Sequence, residues 1–293
     1  MKVNRAMRRI VVALVLSMTG CAVDSQSKDN GWVPPPIQGI PAYRDLVGRY
    51  NKNIAKLDQL RARADVEITW YDHKGRKKFQ SGDDSLLMMR RPGELALSIG
   101  KLGHDVVWAG YDEDRFWLFD LSEEKTSYVG YHENIGKIGA RSLPTPVRPM
   151  DLPKLLGVVL IDPEKLPPRP RVEWIKGRYV IEPPGTRMRL TIDPKTYLAA
   201  RVDLLDATAK TLMFGRLSKP KRVDVEDVAK SQWPYVAGQL DVTMIDQRDK
   251  VTLKLWGMSD GAGRIQDRQF DYERLVRAFK PKTQIDLDEH VRD

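Results

Sequence analysis

The spacing of hydrophobic positions divides the chain into helical and strand-like stretches. Between about Tyr43 and Arg61, apolar residues recur every three or four positions, as on one face of an amphipathic helix. This apolar stripe consists of Tyr43, Leu46, Val47, Tyr50, Ile54, Leu57 and Leu60. Basic residues lie largely off the stripe, so the pattern predicts a surface helix that covers a sheet.

From Ala64 onward the period falls to two, which is typical of strands with one buried face. Ala64, Val66, Ile68 and Trp70 alternate with more polar neighbours, and residues 72–75 predict a hairpin turn. Further strands are expected near residues 85–90, 95–99, 105–109, 115–121, 188–192 and 198–204, and a last hairpin pairs 240–245 with 251–255. About a dozen closely spaced strands favour an antiparallel sandwich or barrel over an α/β fold.

Two later segments predict short helices. The first follows a Gly- and Pro-rich connection, and Asp151 and Pro153 suit its N-terminus. Its helically spaced apolar residues are Leu155, Leu156, Val159 and Leu160. The second helix is expected near residues 271–279 and should stop before Pro281.

One strand is apolar on both faces. Its residues are Phe116, Trp117, Leu118 and Phe119. Because side chains alternate along a strand, both faces must be shielded from water. Either a helix covers one face and a ligand or lid the other, or the strand is simply buried between two protein layers.

The first twenty residues have the layout of a secretory signal. Four basic residues precede a short apolar core at 10–16, and the sole cysteine of the chain, Cys21, follows. Residues 16–21, LSMTGC, resemble a bacterial lipobox, which implies cleavage before Cys21 and its modification with acyl chains. An ordinary signal peptide with a chance cysteine is the alternative. We therefore expect a signal at 1–20, a lipidated, Pro-rich tether at 21–42 and a single domain at 43–293.

Charge and composition fit an envelope protein. The formal net charge is +9, of which four charges lie in the expected signal, leaving +5 on the remainder. This mild excess suits a domain close to anionic lipid headgroups, and no basic helix or zinc spacing points to nucleic acid. The apolar content of 41% is enough for a sizeable core, which no intrachain disulfide supports.

Catalytic and metal-binding patterns were sought and not found in the sequence. The histidines lie far apart, at His73, His104, His132 and His290, and none has metal-ligand spacing. Asp112 and Asp114 are interpreted as turn residues rather than an acid–base pair. The basic run at 74–78 is interpreted as a solvated face or as a phospholipid headgroup contact. We expect no cofactor, no metal and no enzymatic activity.

The order of elements resembles that of the bacterial lipoprotein-localisation superfamily, the periplasmic lipoprotein carrier and its outer-membrane receptor. The resemblance rests on an N-terminal helix, a strand pair, an Arg-Pro pair and an aromatic-rich strand, within residues 43–128. The relevant stretches read LMMRRPGELALS at 87–98 and WAGYDEDRFWLFD at 108–120. It implies a mainly β fold with covering helices. This would be a curved antiparallel half-barrel with an N-terminal helix and a short helical lid over an apolar cavity that binds acyl chains.

The resemblance also implies roles for particular residues. Arg91, before Pro92, occupies the place of the arginine that holds the lid closed; a solvated strand-end charge is the alternative. The lid candidates are Leu152, Leu155, Leu156, Val159 and Leu160, which could equally form an ordinary core helix. The cavity-lining candidates are Trp70, Trp108, Trp117 and Phe119. The receptor's exposed apolar loop has no clear equivalent in the polar segment 72–78.

The sequence is compatible with two functions. The first is an envelope lipoprotein that binds a lipid or an acylated protein, with a role in lipid or lipoprotein trafficking. The second is an anchored protein-interaction module, a sensor or assembly factor with an envelope protein partner. Ala22 after the cysteine favours the outer membrane, facing the periplasm. A continuous apolar cavity would favour the first function, and a filled interior with an exposed edge strand the second.

Overall fold

The N-terminal helix is present but ends earlier than its apolar spacing predicts. The computed structural model describes residues 39–71, 74–123, 125–135, 145–166, 171–246 and 249–289, so Cys21 and most of the expected tether lie outside it. Helix α1 spans Tyr43–Ile54, and strand β1 begins at Gln59. Leu57 and Leu60 are fully buried, as expected, but Leu60 is a strand residue paired with Met89. The position of Leu60 fits both the helical period and the strand period, and its pairing with β2 makes it a strand residue.

A single sheet of fourteen strands dominates the described residues. Its strands are β1 (Gln59–Tyr71), β2 (Lys77–Arg90), β3 (Glu94–Lys101), β4 (His104–Tyr111), β5 (Arg115–Asp120), β6 (Thr126–Tyr131), β7 (Glu173–Ile175), β8 (Arg178–Ile181), β9 (Met188–Ile192), β10 (Ala199–Leu205), β11 (Thr211–Arg222), β12 (Tyr235–Met244), β13 (Lys250–Ser259) and β14 (Thr283–Asp286). Their order is β14-β6-β5-β4-β3-β2-β1-β13-β12-β11-β10-β9-β8-β7. Neighbours are antiparallel, except that β14 runs parallel to β6. The sheet is open, with edges at β14 and β7.

The expected strands are confirmed, and several others were not foreseen. The two predicted hairpins form, since β1 pairs with β2 and β12 with β13, both antiparallel. The strands missed in the sequence are β6, β7, β8, β11 and β14. They are short or end in polar residues, so their alternation is weak; β11, for example, closes with Lys219, Pro220 and Lys221.

The sheet curls around one main core, as a half-barrel does. Ala109 on β4 and Leu240 on β12 line one small apolar pocket, although these strands lie five positions apart in the sheet. A flat sheet would separate them by roughly 24 Å at about 4.8 Å per strand. The inner face of the sheet is therefore concave, and α1 packs into it through Leu46, Val47 and Tyr50.

The second predicted helix is much shorter than expected. Helix α2 covers only Leu152–Leu155, after a 3-10 turn at Pro149–Asp151, and Pro153 lies in its first turn as predicted. The Asp151 side chain does not cap it. The chain leaves the helix at Gly157, which has φ +65°. A Cβ at this position would lie 2.9 Å from the Cβ of Ala199, so close approach to the sheet requires glycine.

The third helix covers the outer face of the sheet. Helix α3 spans Tyr272–Phe279, close to the predicted limits, and Asp271 accepts a capping hydrogen bond from the Arg274 amide at 3.0 Å. The chain then continues into β14 beside β6. The sheet is thus covered on its inner face by α1 and α2 and, at β4–β6, on its outer face by α3.

Candidate functional site

An apolar pocket lies between the inner face of the sheet and residues 145–152. Alternate residues of a strand point to the same face, so five strands contribute aliphatic side chains here. These are Val66, Ile68, Leu95, Leu97, Ile99, Val107, Ala109, Leu240, Val242, Val251 and Leu253. Thr145, Pro146, Val147, Arg148, Pro149 and Leu152 complete the lining. A concave aliphatic lining of this kind suits an apolar ligand.

The apolar pocket is small in this state of the protein. Its free volume is about 60 Å³. An apolar cavity of roughly 150 Å³ binds a molecule as small as benzene. An acyl chain therefore fits on this face only if residues 145–152 move away from the sheet.

Residues 145–152 contact the sheet mainly through apolar side chains. Val147 and Leu152 pack against the main core, and Met150 packs against Phe116 and Leu118. The Thr145 hydroxyl donates to the Val147 carbonyl and the Asp151 amide to the Arg148 carbonyl, so both bonds stay inside the segment. An acyl chain placed on the sheet would replace these apolar contacts with similar ones.

A larger, open cleft adjoins the apolar pocket. This outer cleft has a volume of about 440 Å³ and shares Thr145, Pro146 and Arg148 with the pocket. Its other lining residues are Ile135, Asp151, Lys154, Arg187, Leu204, Leu205, Asp206, Ala207, Leu212, Met213, Met244 and Asp246. Residues 145–148 thus separate an inner aliphatic space from an outer space with charged residues in its lining.

The aromatic residues expected to line the cavity lie elsewhere, which corrects the sequence interpretation. Trp117 and Phe119 are fully buried on the outer face, where they pack with Tyr272 and Leu275 of α3. Trp108 joins them, with its ring centroid 5.7 Å from that of Phe279. Trp70 is half-buried on β1 and does not line the apolar pocket. Strand register sends Trp108, Trp117 and Phe119 outward and their aliphatic neighbours inward. Trp70 alternates in phase with Val66 and Ile68 but is not among the residues that line the pocket.

Strand β5 is buried between two protein layers. Its outer face meets α3, and its inner side chains, Phe116 and Leu118, pack with Leu287, Tyr128 and Met150. Of the two interpretations of this two-faced apolar strand, the structure therefore shows burial between two protein layers. The buried aromatic side chains of β5 stabilise the fold.

Arg91 contacts α1 and not the segment 152–160, contrary to the expectation. Its Nη2 donates to the carbonyl oxygens of Ile54 at 2.9 Å and Ala55 at 3.4 Å, and lies 3.3 Å from Asp58 Oδ1. A cation at a helix C-terminus satisfies carbonyls that have no partner inside the helix. Burial lowers the pKa of the Arg91 guanidinium. Arg91 therefore fastens the end of the covering helix α1 to the sheet.

Replacing Arg91 with Leu should destabilise the fold by about 1.5 kcal/mol, because a charged donor to two helix carbonyls is lost. Asp58 is 90% exposed, so its ion pair with Arg91 adds little. Chemical denaturation of the purified protein measures the change. Arg63→Leu is the matched control, since that side chain is 55% exposed and should change stability by less than about 0.5 kcal/mol. Equal changes for the two variants would contradict this role.

The expected lid residues are only partly buried together. Leu152, Leu155 and Leu156 belong to the main core, whereas Val159 is half-buried and Leu160 is 46% exposed. The last two follow Gly157 and are no longer helical. Leu152, Leu155 and Leu156 are therefore residues of the main core.

Two residues of α1 that the sequence did not single out hold the chain after α2. The Tyr50 hydroxyl donates to the carbonyls of Gly157 at 2.8 Å and Val159 at 3.2 Å. The Asn51 amide group donates to the Ile161 carbonyl at 2.6 Å and accepts from its amide at 3.1 Å. Complete burial raises the pKa of the Tyr50 hydroxyl, which stays a donor. The sequence offered one sign of these contacts, the polar residue Asn51 beside the apolar stripe of α1.

The remaining sequence candidates have structural explanations where the structure describes them. Asp112 Oδ1 accepts from the amides of Asp114 at 3.0 Å and Arg115 at 2.7 Å, as expected of a turn residue. His132 Nε2 lies 2.8 Å from the Asp112 carbonyl oxygen. Within the described ranges, no three His, Cys, Asp or Glu side chains are grouped to hold a metal. None of the helices described there has the length and apolarity to cross a membrane.

Solved structures share this fold. A DUF1329 family protein from Desulfovibrio piger matches with a TM-score of 0.53 at 14% identity, over 83% of this chain and 100% of that one. A LolA superfamily protein from Nitrosomonas europaea matches with a TM-score of 0.47 at 9% identity, over 80% of this chain and 99% of that one. At this level of identity, the match to the DUF1329 family protein shows a likeness of fold alone. No family model matches the sequence, and no curated protein does.

Proposed function

We propose that this protein binds the acyl chain of a lipid or lipoprotein on the concave face of its sheet, as an anchored component of the cell envelope. The observation that carries the proposal is the apolar pocket, which five strands line with aliphatic side chains. Each buried CH₂ group of a ligand contributes roughly 0.8 kcal/mol, so a long chain that displaces residues 145–152 gains enough to offset their packing.

The anchor is the second part of the proposal. Acyl chains on Cys21 would keep the domain at a membrane, most simply the outer membrane facing the periplasm, where acylated ligands are present. The observations in support are the lone cysteine, the basic and apolar segment before it and the net charge of +5 on the rest. The protein performs no covalent chemistry in this proposal; it holds or hands over an apolar ligand.

Filling the apolar pocket should abolish much of the binding. Ala109 lines the pocket, and Ala109→Leu adds a branched side chain to a space of about 60 Å³. Extra methyl groups in a packed site cost about 1–3 kcal/mol, so the affinity for an acyl-chain fluorophore should fall about tenfold or more. Fluorescence titration of the purified protein measures this change.

The matched control is Ala237→Leu. Ala237 lines a separate cleft between α1 and strands β10–β12, and a Leu there should leave the affinity unchanged. Circular dichroism should show both variants folded. If Ala109→Leu binds the fluorophore as tightly as the native chain, the proposed site is wrong.

A protein-interaction function is the second candidate, and one observation favours it. Among the described residues, strand β7 is an edge of the sheet, and Ile175 on it is 45% exposed. An edge strand offers unpaired backbone groups to an added strand from a partner. A folded protein that shows no saturable acyl-chain binding would support this candidate over the first.

A further inference from the structure

Four large apolar side chains are exposed along one end of the open sheet. Phe79 on β2 is 62% exposed, and Tyr71 at the end of β1 is 41% exposed. Ile245, just after β12, and Leu212, near the start of β11, are 44% and 43% exposed. Single exposed apolar residues are common on any protein, but a row of them marks an interaction surface.

Hydrogen bonds connect the backbones that carry these four side chains. In the register of β1 and β2, Phe79 and Tyr71 are diagonal neighbours. The Tyr71 amide donates to Asp249 Oδ1 at 3.2 Å, and the Ile245 amide donates to the Leu212 carbonyl at 3.0 Å. The row thus follows five adjacent strands, β2, β1, β13, β12 and β11. Together with residues 74–78, these four side chains form the hairpin rim.

The hairpin of β1 and β2 brings positive charge to the hairpin rim. Residues 71–79 contain four cations against one acid, which leaves +3. The cations are Lys74, Arg76, Lys77 and Lys78. Residues 245–250 contain two cations and two acids, so they add no net charge. The next acid along β2, Asp83, is four residues from Phe79. That is roughly 13 Å along a strand, beyond the screening length of about 8 Å.

We propose that the hairpin rim is the surface through which this protein contacts an anionic phospholipid bilayer. Tyrosine is enriched where membranes meet water, and an exposed phenylalanine gains by entering the headgroup region. Each Lys or Arg close to anionic lipid strengthens the contact about fivefold. Interfaces between proteins are depleted in lysine, so three lysines beside these rings favour a lipid surface over a protein partner.

The attraction to a bilayer depends on the net charge of the hairpin and not on unpaired cations. Lys74, Arg76 and Lys78 have contacts of their own in this structure. A charged membrane acts on the summed charge of a nearby segment, and the +3 of residues 71–79 already includes their one acid. The contacts of these three side chains therefore leave the electrostatic attraction in place.

The hairpin rim lies close to the apolar pocket. Ile68 lines the pocket and is three residues from Tyr71, which is roughly 10 Å along the strand. Val251, at the start of β13, lines the pocket as well. A bilayer at the rim would place its acyl chains next to the pocket. The inference goes beyond the proposed function, since it requires the envelope location and not the binding of an acyl chain.

The test places a fluorescent reporter on the full chain in vesicles of equal parts phosphatidylcholine and phosphatidylglycerol. Ser81→Cys carries the reporter on an exposed position of β2 beside the rim. Ser231→Cys carries it on an exposed position before β12, at the opposite end of that strand from Ile245. A spin label on the lipid headgroup should quench the first reporter and not the second. Any label on Cys21 is common to both proteins, so their difference reports the site.

Changes to the rim should weaken the quenching of the Ser81 reporter. Lys77→Gln should lower the ratio of quenched to unquenched chains about fivefold, and Phe79→Ser about tenfold. The matched controls are Lys195→Gln and Leu160→Ser, which change exposed residues away from the rim and should leave the ratio unchanged. Vesicles of phosphatidylcholine alone should also reduce the quenching, because the positive charge then has no anionic partner.

Four results would overturn the inference. Equal quenching of both reporters would mean that the domain has no preferred face toward the bilayer. Quenching of the Ser231 reporter alone would place the contact at the opposite end of the sheet. A ratio unchanged by both Lys77→Gln and Phe79→Ser would exclude the rim. No quenching of either reporter would mean that the domain stays clear of the bilayer. Titration with the acyl-chain fluorophore tests the proposed function separately, and its failure would leave the result for the rim unchanged.

Discussion

Phe119→Ala should destabilise the folded protein by about 3–5 kcal/mol, the usual effect of removing a fully buried aromatic ring. Phe119 is completely buried between β5 and α3, with ring centroids 5.2 Å from Phe279 and 5.6 Å from Tyr272. Domains of this size are stable by only about 5–15 kcal/mol, so the loss is a large fraction. Urea denaturation measures it through the midpoint.

The same variant should bind an acyl-chain fluorophore with unchanged affinity when it is folded, since Phe119 points away from the apolar pocket. Trp256→Ala is the matched control: this ring lies on β13 and is 42% exposed, so its loss should cost less than about 1 kcal/mol. If the folded Phe119→Ala protein binds the fluorophore more weakly than the native chain, the Phe119 ring belongs to the ligand site after all.

Cys21→Ser should abolish acylation of the protein and leave its signal segment uncleaved. If Cys21 carries two or three acyl chains, each buried CH₂ contributes roughly 0.8 kcal/mol, and two or more chains hold a protein durably where one binds only marginally. A serine hydroxyl cannot form the thioether that the lipobox resemblance implies. Intact mass should show no acyl chains, and processing before residue 21 should fail.

Intact mass and membrane fractionation beside the native chain measure processing and attachment, and Ser25→Ala is the control for a change close to the processing site. A Cys21→Ser protein that is cleaved normally and stays with the membrane would show that the segment is an ordinary signal and that attachment has another cause. Cys21 lies outside the described residues, so this experiment alone decides the anchor.

Most strands could be located from the sequence because alternation is a local property. Strand β12 shows it strictly, with every second residue from Val236 to Met244 buried. The ends of helices were harder to place. Leu57 and Leu60 continue the apolar spacing of α1, yet Leu60 lies in β1, where it pairs with a residue of β2. Such a choice depends on partners distant in the chain.

In the candidate site, too, local sequence located some residues, while their roles depended on contacts distant in the chain. The sequence located Arg91 at a strand end, but the helix that it caps depends on how α1 lies across the sheet. Arg148 carried no sequence signal, because its position between the pocket and the cleft arises only in the folded chain. Residues of this kind gain their role only when separate strands and loops converge.

By itself the sequence determined the mainly β class, the position of most strands, two hairpins, the burial of both faces of β5 and the expectation of an anchor at Cys21. Only the tertiary structure decided which face each aromatic ring takes and what covers it. The physical reason is that alternation marks two faces of a strand as different without saying which one is concave. That depends on sheet curvature and on the helices packed against it, which arise from contacts among the whole set of strands.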